Sequence, residues 1–280
     1  MHLSLMVIAI AIACLTRLCR STPSPTWTDR WQHTLLTFLF APLLLFMTAV
    51  AVLCMGTQGQ MLGLPVGWIG YLLALTFLSS AVLMLIGLAG QGWRSLKQIR
   101  TYPQIQINGA NGRILETSCL FAAQIGFWTP ELVISQGLVA TLSQEQLDAV
   151  LTHEQAHAHH HDTFWFFWLG WIRHLTAWLP NTEPCWQELL LLRELRADRW
   201  AAERVDSLVL AETLLQVIKS PLTDAQHYCA AFGETVSLNR LEERIEALLT
   251  HSAQSCETRR LVWIGLLFAF LPLLTVLFHS

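Results

Sequence analysis

His153-Glu154-Gln155-Ala156-His157 is an H-E-x-x-H stretch. On a helix, residues four apart project from nearly the same face, so His153 and His157 can both reach one metal ion. Glu154 then sits beside them, toward the open side. Thirty-seven residues after His157 the chain reads Glu194-Leu195-Arg196-Ala197-Asp198. On a second helix this spacing repeats the i, i+4 geometry and can bring a carboxylate to the same ion. Two imidazoles, one carboxylate and a vacant fourth position describe a catalytic Zn2+ site, because structural zinc sites are usually closed and cysteine-rich. Zinc with three protein ligands lowers the pKa of a water in the open position to about 7 and polarises a carbonyl. Glu154 is placed as the general base that takes that water's proton and passes one to a leaving amine. Together these parts hydrolyse an amide without a covalent intermediate.

Asp198, one turn after Glu194, fits a residue behind the ligands, where a carboxylate accepting a histidine's outer N–H fixes its tautomer and orientation. Asp162 could do the same, although helix capping is its simpler account. Plainer readings stand beside these. H-E-x-x-H alone arises by chance; its helical context and the downstream E-x-x-x-D are what raise it above chance. Glu188 and Glu203 are alternatives for the third ligand, with the spacing to Asp198 favouring Glu194. His159, His160 and His161 read as solvated residues near a helix end. Arg240 and Arg244 could contact the site, but an ordinary solvated helix face accounts for them equally well.

The elements that must position these residues follow from local signals. Ser143 with Gln146 three residues on is a capping-box signature, so a helix starts there and runs through Leu147, Val150 and Leu151 to His157. Arg113–Ser118, Leu120–Ile125 and Glu131–Ser135 read as short strands. Glu188–Arg204 is expected to be the helix with the third ligand, and Leu238–Leu249 a late amphipathic helix. Phe164–Leu179 is apolar enough to cross a membrane, but a single crossing there would put His153 and Glu194 on opposite sides. It therefore reads as a buried, interfacial or re-entrant helix with Trp side chains at the membrane surface.

The chain has 280 residues, 53% hydrophobic and only 13% charged, against roughly 25% charged for an average soluble domain. Residues 31–93 contain no Asp, Glu, Lys or Arg, long enough for two spans of about 20 residues each. These are expected near Leu35–Met55 and Val66–Leu88, with further candidates at Leu3–Thr16 and Val262–Phe278. The first reads as an anchor rather than a signal peptide: no basic residue precedes its apolar core and no small-x-small cleavage site follows. Basic residues lie in the first loop (Arg17, Arg20, Arg30), after the third span (Arg94, Lys97, Arg100) and before the last (Arg259, Arg260). The positive-inside rule then places the central region in the cytoplasm and both termini outside. The expected organisation is three spans in 1–93, a cytoplasmic domain in 94–260 and a last span in 261–280. Seven cysteines without C-x-x-C pairing read as reduced thiols. A net charge of −3 with no basic patch gives no nucleic-acid footprint; membrane lipid and protein or peptide substrates are the expected partners.

The segment from Ile125 to Arg204 resembles the integral-membrane zinc metallopeptidases of gluzincin type, families M48 and M56, with M56, the antibiotic-sensor peptidases, the closer match. The resemblance is carried by Gly126-Phe127-Trp128-Thr129-Pro130-Glu131-Leu132-Val133-Ile134-Ser135-Gln136-Gly137-Leu138, by Leu142–Thr152 leading into the H-E-x-x-H, and by Arg193–Ala201. It implies a mainly α-helical membrane protein of about four transmembrane helices, with a cytoplasmic zincin-like α+β domain holding a small sheet, in a bacterial inner or plasma membrane. It also implies that an extended substrate adds as a strand near the cleft, on Leu132, Val133, Ile134 and Ser135 or on Phe121–Ile125. Antibiotic sensors carry a large extracellular domain after their final span, whereas only Phe278, His279 and Ser280 follow here, so any input signal is expected by another route. The implied activity is a zinc endopeptidase acting at the cytoplasmic face, in repressor cleavage, self-processing or M48-like clearance of damaged membrane proteins. Hydrolysis of short peptides is a runner-up, and a non-catalytic zinc-binding scaffold the alternative from another class.

Overall fold

A computed structural model describes residues 2–18, 26–57, 60–61, 64–65, 68–107, 109–219, 238–250 and 261–277. They are mostly helical, with one small mixed sheet, and form two compact units: 1–87, 170–192 and 254–280 in the first, 88–169 and 193–253 in the second. The segment 170–192 thus groups with the apolar helices rather than with the expected central domain.

The first unit holds α1 (His2–Leu18), α2 (Trp27–Met55) and most of α3 (Trp68–Ile99). A short hairpin, β1 (Gln60–Met61) against β2 (Leu64–Pro65), lies between α2 and α3. Thr26 opens α2 by accepting a hydrogen bond from the Asp29 amide, and Gly56, at φ 72°, ends it. Ala9, Ala13, Ala41, Ala49 and Ala51 are buried where these helices meet; small side chains let helix backbones approach closely. Large side chains of α3 face outward instead, Ile69 at 67% and Leu83 at 68% exposed. Helices α2 and α3 are long and apolar enough to cross a membrane. The expected C-terminal span is broken into Leu261–Leu267, a 3-10 turn Phe268–Phe270 and Leu271–Leu277, with Pro272 in its last piece lacking the N–H that a continuing helix needs.

The second unit is built on four strands: β3 (Gln104–Ile107), β4 (Ala110–Leu115), β5 (Ala122–Ile125) and β6 (Glu131–Ser135), in spatial order β3-β4-β6-β5. β6 matches its expected range and runs parallel to β4 and antiparallel to β5. β3, which sequence reading did not anticipate, is a short strand directly after Pro103 held by pairing with β4. The Ser135 hydroxyl accepts from the Phe121 and Leu138 amides, closing β6 and capping α4 (Gln136–Thr141). Gly137 is required in that turn, because a Cβ there would stand 2.2 Å from the Ser118 carbonyl oxygen.

Helix α5 (Gln144–His159) begins at the expected capping box, Ser143 and Gln146 bonding reciprocally. Its Leu147 and Leu151 pack with Ile134, Leu138 and Leu142, which fixes the metal-motif helix against the sheet. On its other side Ala149 meets Leu210 and Ala211 of α8 (Ser207–Lys219). His161, at φ 54°, turns the chain into α6 (Asp162–Leu175). Helix α7 (Thr182–Ala202) carries Glu194 and Asp198, and α9 (Leu238–Thr250) follows.

Candidate metal centre

His153 and His157 lie one turn apart on α5 and are both buried, with Glu194 of α7 facing them. The two Nε2 atoms are 3.2 Å apart. Glu194 places Oε2 3.3 Å from His153 Nε2 and Oε1 3.6 Å from His157 Nε2. A tetrahedral ion with metal–ligand distances of about 2.0–2.1 Å separates its donors by about 3.3 Å, so the three side chains fit a zinc cradle. Glu188 and Glu203 are elsewhere: Glu188 pairs with Arg30 at 2.6 Å, and Glu203 with its neighbour Arg204.

Each imidazole is backed by a carboxylate on its other nitrogen. Asp162 Oδ2 is 2.8 Å from His157 Nδ1, and Asp198 Oδ1 is 2.9 Å from His153 Nδ1. The second contact is bent away from the ring N–H direction, short of linear hydrogen-bond geometry. Carboxylates so placed direct both Nε2 lone pairs into the cradle. Asp162 therefore does more than the helix capping expected of it: its Oδ2 meets His157 and its Oδ1 takes a bond from Arg196. The left-handed turn at His161 returns the chain onto α5 and makes this possible. Of the three histidines expected to be solvated, His159 and His161 are exposed and His160 is half-buried; none belongs to the cradle.

Arginines hold the carboxylates. Arg244, on α9, is buried and binds Asp198 through two bonds of 2.7 and 2.8 Å, with its Nη1 3.3 Å from Glu194 Oε2. It is thus part of the centre rather than of a solvated helix face. Arg193 donates to Glu194 Oε1 at 2.8 and 3.0 Å and lays its guanidinium over the Phe166 ring at 4.8 Å. Sequence reasoning missed Arg193, although its adjacency to Glu194 was a usable signal.

These charges set the protonation states. Burial alone would raise the Glu194 carboxyl, but Arg193, His157 and Arg244 hold it well below the usual carboxylate range. Burial likewise opposes ionisation of Asp198, and Arg244 outweighs it; at Asp162, His157 and Arg196 do the same. Burial would lower His153, yet Asp198 and Glu194 push it up to about 10. Glu154 is buried next to the cradle and makes no hydrogen bond or ion pair among the described residues.

Leu132, Val133, Ile134 and Ser135 do not form a substrate edge. They lie in β6, which is paired on both sides, by β4 and β5, and all four are buried. Of the two outer strands, β3 and β5, it is β5 that packs beside α5; among the described residues no strand pairs with its far side.

The profile of Peptidase family M48 matches residues 114–187. The matched stretch covers β5, β6, the H-E-x-x-H helix and the start of α7. It supports the M48 family, whose members are typically zinc metallopeptidases, and lends none to M56, the closer resemblance in sequence. No curated protein and no solved structure matches the chain.

Proposed function

We propose that this protein is a membrane-anchored, zinc-dependent endopeptidase that cleaves protein substrates at the cytoplasmic face. The observation that carries this reading is the cradle: three donors at the mutual spacing of a tetrahedral ion, with a carboxylate behind each imidazole. His153, His157 and Glu194 would hold the ion. Zinc, when bound, supplies Lewis-acid activation of a water and of the scissile carbonyl.

The chain's own residues do the rest. Asp162 and Asp198 hold the imidazole tautomers that present Nε2. Arg244 and Arg193 keep the carboxylates ionised at neutral pH. Glu154, buried beside the donors and without a competing partner, takes a proton from the attacking water and delivers one to the amide nitrogen as the C–N bond breaks. An extended substrate adds along the outer edge of β5, next to α5, using main-chain hydrogen bonds. Helices α2 and α3, with the outward-facing apolar side chains of α3, support anchoring in the bilayer, and Arg94, Lys97 and Arg100 directly after the apolar stretch support a cytoplasmic catalytic unit. The M48 match favours turnover of membrane proteins over repressor cleavage.

The non-catalytic alternative is a zinc-holding scaffold, which has no use for a free buried carboxylate beside the metal. Full-length protein purified in detergent separates the two. Wild type is expected to bind one zinc and to cut itself or an unstructured protein. Glu154→Gln should keep the zinc and lose the cutting; equal cleavage by both proteins would overturn the endopeptidase reading.

A further inference from the structure

Strand β5 turns two of its residues to the open side of the sheet. The Ser135 amide donates to the Phe121 carbonyl at 2.9 Å, and Ala123 and Ile125 stand opposite Val133 and Glu131. Bonding alternates along an antiparallel pair, so Phe121, Ala123 and Ile125 face β6, while Ala122 and Gln124 present N–H and C=O to the unpaired edge. The side chains of Ala122 and Gln124 share one face of the sheet. On that face Ala122 packs against the cluster that includes Leu147 and Leu151 of α5. A strand added here bonds only two residues of β5, and main-chain bonds read no sequence. Selectivity for substrate has to come from side chains beside that edge.

Such side chains follow the edge directly. Gly126, at φ 146°, ends β5, and a Cβ there would stand 2.9 Å from the Pro130 Cα, so a tight turn fixes Phe127 and Trp128 just past the strand. The Phe127 ring lies 5.0 Å from both Phe164 and Phe167, and Trp128 lies against Phe164 at 4.7 Å. Phe127 and Phe164 are half-buried, whereas Trp128 is 73% exposed. Contiguous open aromatic surface of this kind marks an interaction site. The same wall stands beside the cradle. Phe164 is two positions after Asp162, whose Oδ2 is 2.8 Å from His157 Nδ1, and two helical positions separate Cα atoms by about 5 Å. The rings are thus within roughly 10–15 Å of the metal donors, a distance that about three or four residues of extended chain cover.

We infer that Phe127, Trp128 and Phe164 form a substrate subsite that takes a large apolar side chain about three or four residues from the scissile bond. This rests on the endopeptidase reading and on β5 as the edge that receives the substrate. The substrate class is then extended segments with an aromatic or long aliphatic residue at that one position. Main-chain bonds to Ala122 and Gln124 hold such a segment in line, and ring contact selects it. Trp128 sets the preference because its ring is the open one, with Phe127 and Phe164 behind it.

The test digests a mixture of peptides from denatured proteins with zinc-loaded, full-length wild type, Trp128→Ala and Trp128→Phe in detergent, and maps the cut bonds by mass spectrometry. For wild type, aromatic residues, Leu, Ile and Met are expected several-fold above background at one position three or four residues from the cut. Trp128→Ala should lose that enrichment and Trp128→Phe should keep it. Two dye-labelled peptides that differ only there, Leu against Ala, then separate recognition from damage to the fold. On Glu154→Gln, which should not cut, anisotropy should show the Leu peptide bound about tenfold more tightly, and adding Trp128→Ala should remove that difference while leaving the Ala peptide as it was. No apolar preference at that distance, the same preference in Trp128→Ala, or equal weakening of both peptides would overturn the subsite. A zinc-loaded wild type that cuts no peptide, or Glu154→Gln cutting as fast as wild type, would refute the endopeptidase reading instead.

Discussion

The two units use apolar residues in opposite ways. In the helical unit Ala9, Ala13 and Ala41 are buried beside Leu44 and Leu45 where α1 and α2 pack, and large side chains of α3 such as Ile69 and Leu83 point outward. In the sheet-bearing unit Ile134, Leu138, Leu147 and Leu151 are inside, around a buried network of two histidines, three carboxylates and Arg244. The first pattern suits lipid as solvent, where helices gain from close backbone approach rather than from hiding leucine. The second suits water, where apolar burial drives folding and ionic groups survive inside only when paired. Helix α7 shows a similar division along its length: among the described residues Glu188 meets Arg30, while Glu194 meets two imidazoles as well as arginines.

That contrast within α7 gives the largest expected effect. Glu194→Gln should abolish stoichiometric zinc binding, whereas Glu188→Gln should leave zinc at one per chain and, as a partly exposed pair, cost at most about 1 kcal/mol of stability. Metal analysis of the two purified proteins checks this; equal zinc in both would remove Glu194 as a ligand. Next in size, Asp162→Asn and Asp198→Asn should each weaken zinc affinity about 10–100-fold, read by competition with a chelating dye.

Protonation of His153 supplies the third effect. Its folded pKa is raised to about 10 in the metal-free protein, so below that pH zinc must displace a proton. Apparent zinc affinity should therefore rise with pH, about tenfold per unit through the neutral range, with about one proton released on binding by calorimetry in buffers of different ionisation enthalpy. A flat pH dependence would contradict the carboxylate-backed histidine. The smallest effects sharpen the contrast in packing. Ala41→Leu should destabilise the helical unit by about 1–3 kcal/mol through overpacking, while Leu83→Ala, on the outward face of α3, should change stability by no more than about 0.5 kcal/mol. Denaturation in detergent tests both, and a reversed order would mean that α3 is covered by protein.

Much of the site was legible in the sequence because its geometry is local. The i, i+4 pairs on α5 and α7, the capping box at Ser143 and the strand Glu131–Ser135 each rest on signals within a few residues. What the sequence left open depends on long-range placement. Arg244 reaches Asp198 across 46 residues, and nothing near Arg244 distinguishes it from the outward charges of an amphipathic helix. Asp162 is close in sequence to His157, but helical spacing does not extend through the left-handed residue at His161. The sequence left Leu132–Ser135 and Phe121–Ile125 both open as edges, because strand order, which puts β6 inside the sheet and β5 at its side, is set by tertiary pairing that no single strand encodes.

The most direct test of the central claim compares protein N-termini in cells expressing wild type or Glu154→Gln, with zinc measured on both purified proteins. New termini present only with wild type, at equal zinc content, are the predicted result and would identify the substrates. Identical termini with zinc bound to both proteins would contradict the peptidase and leave a metal-holding scaffold.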